Sequence, residues 1–211
     1  MSVASLSKCA GWFCLSVALL LASGCKSVST SASAGSTSSA TGATTSPSVT
    51  AAALPTIRVK AGIDTPLKDT KGITWAGDIG YDGGEQVDRP ELQVTGTDRP
   101  ELYHSERYSM DDYSFKIPNG DYNLKLHFSE DYEGITDPTM RVFTYEVKDG
   151  DAAKGKTVKQ VKDFSPWKAA GAAAKAYVDT VPITVTNGRI TITFTPQVEN
   201  PQINAIEIVP R

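Results

Sequence analysis

Apolar and polar residues alternate with a period of two along most of the chain beyond residue 55. Ile57 and Val59 alternate near the start of this region, and Tyr113, Phe115 and Ile117 alternate before Pro118-Asn119-Gly120-Asp121, which turns the chain. Tyr122, Leu124, Leu126 and Phe128 form the next apolar face, and Phe143, Tyr145 and Val147 form another. Successive side chains of a strand point to opposite faces, so this period predicts half-buried strands and not helices. The clearest unit runs from Thr180 to Pro196. Asn187-Gly188 is a strong signal for a two-residue hairpin, because a type I′ turn needs positive φ at both positions. The register it predicts pairs Val185 with Ile190 and Ile183 with Ile192, with threonines on the other face. Ile206 and Ile208 predict a last strand. Many short strands separated by turn signals predict an all-β fold, a sandwich or jelly roll.

Two segments depart from the pattern. Lys168 to Ala176 is rich in alanine and helical by propensity, although Gly171 interrupts it and no amphipathic stripe accompanies it. Asp88-Arg89-Pro90-Glu91-Leu92 recurs as Asp98-Arg99-Pro100-Glu101-Leu102. Two copies make no solenoid; they read as two similar turns or as chance.

The amino-terminal region is of another kind. Lys8 is followed by an apolar run from Trp12 to Ala22, which suits a signal h-region better than a bilayer span. The run ends in Leu21-Ala22-Ser23-Gly24-Cys25, which resembles a bacterial lipobox. Residues 1–24 then form a cleaved signal, and Cys25 is the residue that takes the lipid. Cys9 and Cys14 lie in the removed part, so no disulfide is expected in the mature protein. Several acyl chains at about 0.8 kcal/mol per buried methylene imply permanent membrane attachment. Lys26 stands where an aspartate would suggest inner-membrane retention, so the outer membrane is the expected location. From Ser27 to Leu54 the chain is uncharged and dominated by Ser, Thr, Ala and Gly, which makes residues 25–54 a lipidated cysteine and flexible tether with a reach on the order of 30 Å. Residues 55–211 form the single folded domain, long enough for an ordinary core.

The formal net charge is −3 and the lysines are scattered, which argues against a nucleic-acid partner. No Gly-x-Ser-x-Gly elbow is present, and the two histidines, His104 and His127, do not point to a hydrolase. His127 falls on the polar face of its strand and reads as exposed. A glycosidase needs two carboxyl groups facing each other across a cleft. Glu130, Asp131 and Glu133 are too close in sequence to supply both, which leaves Glu106 or Glu199 as spatial partners. No His or Cys spacing suits zinc, no cofactor is implied, and the acids leave open only an oxygen-liganded structural calcium ion. Tyr81, in a glycine-rich loop, Tyr108 and Tyr132 are candidates to lie against sugar rings while nearby carboxylates accept hydroxyl protons. Singly, each tyrosine reads better as a half-buried core residue with its hydroxyl at the surface.

Together these stretches resemble the malectin family of carbohydrate-binding domains. The resemblance is carried by Leu102-Tyr103-His104-Ser105-Glu106-Arg107-Tyr108, by Tyr113 to Tyr122, and by Leu124 to Tyr132, where the family shows Phe-x-Glu-x-Tyr. It continues through Arg141-Val142-Phe143, Asp163-Phe164, Ala169-Ala170-Gly171, the Val185 to Ile192 unit, and Asn200 to Ile208. It implies a jelly-roll-like β-sandwich with a sugar site on loops at one end, and no catalysis. The family's founder binds short α-linked glucose oligosaccharides, so a glucose-containing oligosaccharide is the implied ligand. The family's binding aromatics fall on Tyr108 and Tyr132, a third on Tyr81, and an acidic ligand residue on Glu199. Glu133 stands where the founder has a second aromatic, replacing a stacking platform with an acceptor. The resemblance also implies that the alanine-rich stretch is loop and strand. Glu130 continues the inward parity of Leu126 and Phe128 and is expected to be a buried acid paired with Arg107 or Arg141, since an unpaired buried charge is costly. Asp131 reads as solvated, Trp75 as core and Trp167 as a weak extra platform. The expected protein is a lipid-anchored carbohydrate binder, and the alternative is a structural or protein-interaction module of the cell envelope.

Overall fold

A computed structural model of the chain describes residues 53–211. The apolar leader, Cys25 and the tether up to residue 52 lie outside the described residues. Among the described residues the strands are β1 (Ile57–Lys60), β2 (Leu67–Lys68), β3 (Thr74–Trp75), β4 (Tyr81–Asp88), β5 (Ser105–Lys116), β6 (Gly120–Phe128), β7 (Val142–Asp149), β8 (Lys156–Phe164), β9 (Tyr177–Val185), β10 (Arg189–Val198), β11 (Gln202–Ile203) and β12 (Ala205–Pro210). One sheet has the order β1-β12-β6-β9. The other runs β11-β5-β10-β7-β8, with β4 also paired to β5, and β2 and β3 make a small ribbon. Among these residues no helix is long and apolar enough to cross a membrane.

The period-two faces meet where they should. Leu124, Leu126 and Phe128 of β6, Ile183 and Val185 of β9, and Ile206 and Ile208 of β12 join one buried cluster. Tyr113 and Phe115 of β5, Ile190 and Ile192 of β10, and Phe143, Tyr145 and Val147 of β7 come to it from the second sheet. The result is the jelly-roll-like β-sandwich that the pattern predicts. At one end Phe128, Phe143, Tyr145 and Phe164 pack with ring centroids between 4.8 and 6.2 Å apart, in the tilted and edge-on geometries aromatic pairs favour.

The expected Asn187-Gly188 hairpin does not form. β9 pairs with β6, placing Val185 opposite Gly120, while β10 pairs with β5 and β7. The segment is a corner between the two sheets. Only Gly188 has positive φ, at 66°, so the type I′ requirement is unmet. The buried Asp149 carboxylate holds the corner by accepting from the backbone N–H of Thr186 at 3.1 Å and of Asn187 at 3.0 Å, while Gly188 N–H donates to Asn119 Oδ1 at 2.8 Å. The four apolar residues are all buried as their parity requires, in two sheets instead of one.

His127 is also corrected, because it is 2% exposed. It does face away from the main core. However, the segment carrying β3 and Tyr103 folds over that outer face and builds a second apolar cluster from Trp75, Leu102, Tyr103 and Ala205. The Trp75 ring meets the imidazole edge-on at 5.6 Å, and the Tyr103 hydroxyl lies 3.0 Å from His127 Nδ1. Burial pushes the His127 pKa down to about 3, so the ring is neutral at physiological pH. Trp75 is fully buried here, as its core reading expects.

The alanine-rich segment is helical for one turn only. Helix α1 (Pro166–Ala170) starts at Ser165, whose hydroxyl accepts from Lys168 N–H at 3.4 Å, and stops at Gly171 in the left-handed conformation. Loop and strand follow. The short repeat makes two similar turns: Leu92 N–H donates to Arg89 O at 3.0 Å, and Leu102 N–H to Arg99 O at 3.2 Å. The arginines are used alike. Arg99 pairs with buried Asp69 and lies 5.7 Å from the Trp75 ring.

Candidate functional site

Three loops and one strand meet at one end of the sandwich. The strand is β5, on which Glu106 and Tyr108 project to the same side because they are two residues apart. Glu106 is buried and Tyr108 half-buried. Edge strand β4 closes on Tyr108 at Gly84, where a Cβ would come within 2.5 Å of Tyr108 O and φ is +78°, so only glycine fits.

Tyr132 lies just beyond β6, in a loop that polar side chains hold at several points. Asn204 Oδ1 accepts from Ser129 N–H at 2.7 Å, Gln202 Nε2 donates to Ser129 O at 2.7 Å, and Asn204 Nδ2 donates to Asp131 Oδ2 at 2.9 Å. Asp131 is thus buried, at 6% exposure, and not solvated as expected. Loss of water, reinforced by the Glu106 and Glu130 charges, pushes its pKa up to about 7. Beneath it Lys60 is buried too. Its Nζ reaches Ala61 O, Ser105 O and Asn204 O at 2.7 to 3.0 Å, and desolvation pulls its pKa down to about 7.

Glu130 is the buried structural acid that its parity predicts, and Arg141 is its partner. Arg141 Nε donates to Glu130 Oε2 at 2.8 Å and Nη1 to Asn200 O at 2.5 Å, while Glu130 Oε1 accepts from Tyr132 N–H at 3.3 Å. Burial raises the Glu130 pKa against the opposing pull of Arg141. One ion pair therefore ties the loop of Tyr132 to the loop of Glu199. Glu199 itself holds φ at +57°, and its Oε2 accepts from Asn200 N–H at 3.2 Å.

These pieces enclose a cleft of about 420 Å³ lined by Tyr108, Tyr132, Glu199, Glu106, Arg89 and Arg141, among others. That is within the range of about 300–1,000 Å³ usual for small-ligand sites. Arg89 Nη1 donates to Glu106 Oε1 at 3.1 Å, and its guanidinium lies 6.0 Å from the centre of the Tyr132 ring. Glu106 Oε2 has no hydrogen-bond partner. On the other side of Tyr132 and Arg89 a second depression contains Asp131 and Glu133.

Of the residues singled out in the sequence, Tyr108, Tyr132 and Glu199 come together in the cleft, and Glu133 lines the adjoining depression. Tyr81 does not join them. It lines a separate shallow depression, edge-on to Tyr113, with the Arg107 guanidinium 3.4 Å from its ring centre. Trp167 is half-buried in α1 and absent from the cleft lining. Sequence reasoning missed Arg89 altogether. Its signal was the short repeat, whose two arginines each pair with a buried acid beside an aromatic ring. Among the described residues no three His, Cys, Asp or Glu side chains are grouped to hold a metal ion.

The fold and parts of the sequence are found elsewhere. Rice (Oryza sativa subsp. japonica) kinesin-like protein KIN-14E is 37% identical over 75 residues, which is 34% of this chain and 7% of that protein. Bacteroides uniformis beta-glucuronidase superposes with a TM-score of 0.61 at 22% identity, over 74% of this chain and 18% of that one. The plant receptor-like kinase FER gives 0.59 at 20% identity over 74% and 42%, and the Arabidopsis thaliana ANX2 ectodomain 0.58 at 17% over 72% and 48%. This chain therefore spans a minor part of each, and these structures share its fold. The Malectin domain family matches residues 56–206, well over half the chain and every strand as far as the start of β12. This protein belongs to the malectin domain family.

Proposed function

We propose that this protein is a membrane-anchored, non-catalytic carbohydrate-binding lipoprotein. Its domain holds a short glycan in the cleft between Tyr108, Tyr132 and Glu199. The observation that carries this reading is the convergence of two partly exposed tyrosine rings, an exposed carboxylate and a buried unpartnered carboxylate oxygen in one cleft. Aromatic faces suit the C–H faces of pyranose rings, and carboxylates accept hydroxyl protons. Glu130 and Glu106 are each engaged by an arginine, which supports binding over acid–base chemistry. The lipobox ending at Cys25 motivates the anchor, and Lys26 the outer-membrane location. Net gain per sugar hydroxyl is small, because protein hydrogen bonds replace those to water, so modest affinity is expected. Titration of the purified full chain against a broad glycan panel, α-linked gluco-oligosaccharides included, tests this. Binding that Tyr132→Ala removes supports it, and silence across the panel at millimolar ligand contradicts it.

A second reading is a protein-interaction module of the cell envelope. It is favoured by Glu133, an exposed acid where the family's founder has a second aromatic. A specific envelope protein whose binding survives the combined Tyr108→Ala and Tyr132→Ala change would favour it over the first.

A further inference from the structure

The charges around the cleft do not balance. Glu106, Glu130, Asp131, Glu133 and Glu199 face two guanidinium groups, Arg89 and Arg141. Both cations are already committed, Arg89 to Glu106 Oε1 and Arg141 to Glu130 Oε2. Lys60, below the floor, gives its donors to Ala61, Ser105 and Asn204 oxygens. Three acceptors remain. Glu106 Oε2 belongs to a carboxyl group that is 2% exposed and has no donor within the protein. Glu133 and Glu199 stand exposed on the rim. Glu106 lines the cleft, and Asp131 lines the depression on the other side of Tyr132 and Arg89.

A buried acceptor without a donor costs more than an ordinary hydrogen bond contributes, so such a group is stabilised by a ligand that supplies one. A sugar hydroxyl supplies a donor and no charge. An ammonium supplies up to three donors and a charge, and its bonds to carboxylate are roughly twice as strong as neutral ones. A uronate brings a third kind of group, repelled by every free carboxylate here.

We propose that the cleft takes a glycan bearing an unacetylated amino group, with the ammonium donating to Glu106 Oε2 and drawn in by the carboxylate of Glu199. This rests on the carbohydrate reading above and narrows it to amino sugars. The test is calorimetric titration of the full chain at about pH 6, where simple amines are protonated. The ligands are glucosamine oligosaccharides, their N-acetylated counterparts of equal length, α-linked gluco-oligosaccharides and uronate oligosaccharides. The free amine is expected to bind about tenfold tighter than its acetylated counterpart. Glu199→Gln, at an exposed position, and Glu106→Gln, with its fold checked by circular dichroism, are each expected to lower that ratio by about threefold or more. The ratio is the readout because loss of structure lowers both affinities together. A ratio of one, a preference for uronates, or a ratio untouched by both substitutions overturns the proposal. If neutral gluco-oligosaccharides bind and the amine gives no advantage, the amino-sugar inference falls while the carbohydrate reading stands. If no sugar binds, both fall.

Discussion

Single residues set the shape and the proton balance of the cleft. Gly134 is not there for a left-handed backbone. It is there because a Cβ would lie 2.5 Å from Tyr132 Cε1 and 2.6 Å from Cζ, so the ring rests on it. Gly134→Ala is expected to displace the Tyr132 ring and weaken glycan binding by about tenfold, with the unfolding midpoint nearly unchanged because residue 134 is exposed. Calorimetry and urea denaturation on the same sample separate the two effects. Asp131 and Lys60 give a second prediction. The Asp131 pKa is raised in the folded state, so folding takes up a proton and stability falls as pH rises from about 4 to about 7. The Lys60 pKa is lowered, so folding releases a proton and stability rises as pH goes from about 7 to about 10. Each limb has a slope of about 1.4 kcal/mol per pH unit, and together they place a dip near neutrality. Asp131→Asn is expected to remove the acid-side limb in urea unfolding measured across pH, and an unchanged profile would contradict the burial of that carboxyl. Neither feature was legible in the sequence. Asp131 lies in an acidic run that reads as solvent-facing, and only the fold brings Asn204 over it.

Among the elements, the loops at the cleft and the corners between sheets matter most. The Glu130–Arg141 pair joins the loop of Tyr132 to the backbone of Asn200, and both side chains are almost wholly inaccessible. Arg141→Met leaves Glu130 buried without a counter-ion, and a loss of about 3–5 kcal/mol in chemical denaturation is expected. This pair was legible, because two-residue parity carried inward from Phe128 to Glu130 demands a partner for the acid. The corner at Asn187-Gly188 was legible only in part. Parity identified which residues are buried, but a period of two cannot say whether the next strand pairs beside the last or crosses to the other sheet. Here Asp149 decides, some forty positions earlier in the sequence, and no local signal announces it. Asp149→Ala is expected to cost on the order of 1–3 kcal/mol by removing the acceptor for Thr186 and Asn187 N–H. A smaller loss would mean that the corner is held by Gly188 and Asn119 alone.

At the scale of the whole molecule, the all-β architecture followed from alternating apolar positions, and Tyr108, Tyr132 and Glu199 followed from the malectin resemblance. Their meeting in one cleft depends on the return of the chain from β10 through Asn200 to β11 beside β5, a long-range contact that no short window of sequence contains. Tyr81 shows the limit of motif matching: the match gave the residue type, while Arg107 occupies the ring. The proposed anchor makes its own prediction. In the expressing bacterium, Cys25→Ser is expected to remove acyl-chain labelling and release the protein from the membrane fraction, and retention there would refute anchoring through that thiol. The central claim is that the cleft is a glycan site. The most direct test is calorimetric titration of the full chain and of the Tyr108→Ala, Tyr132→Ala double variant against the same panel of oligosaccharides. The account predicts saturable, modest-affinity binding of at least one glycan that disappears in the double variant. Binding of equal strength in both proteins, or of no glycan by either, would contradict it.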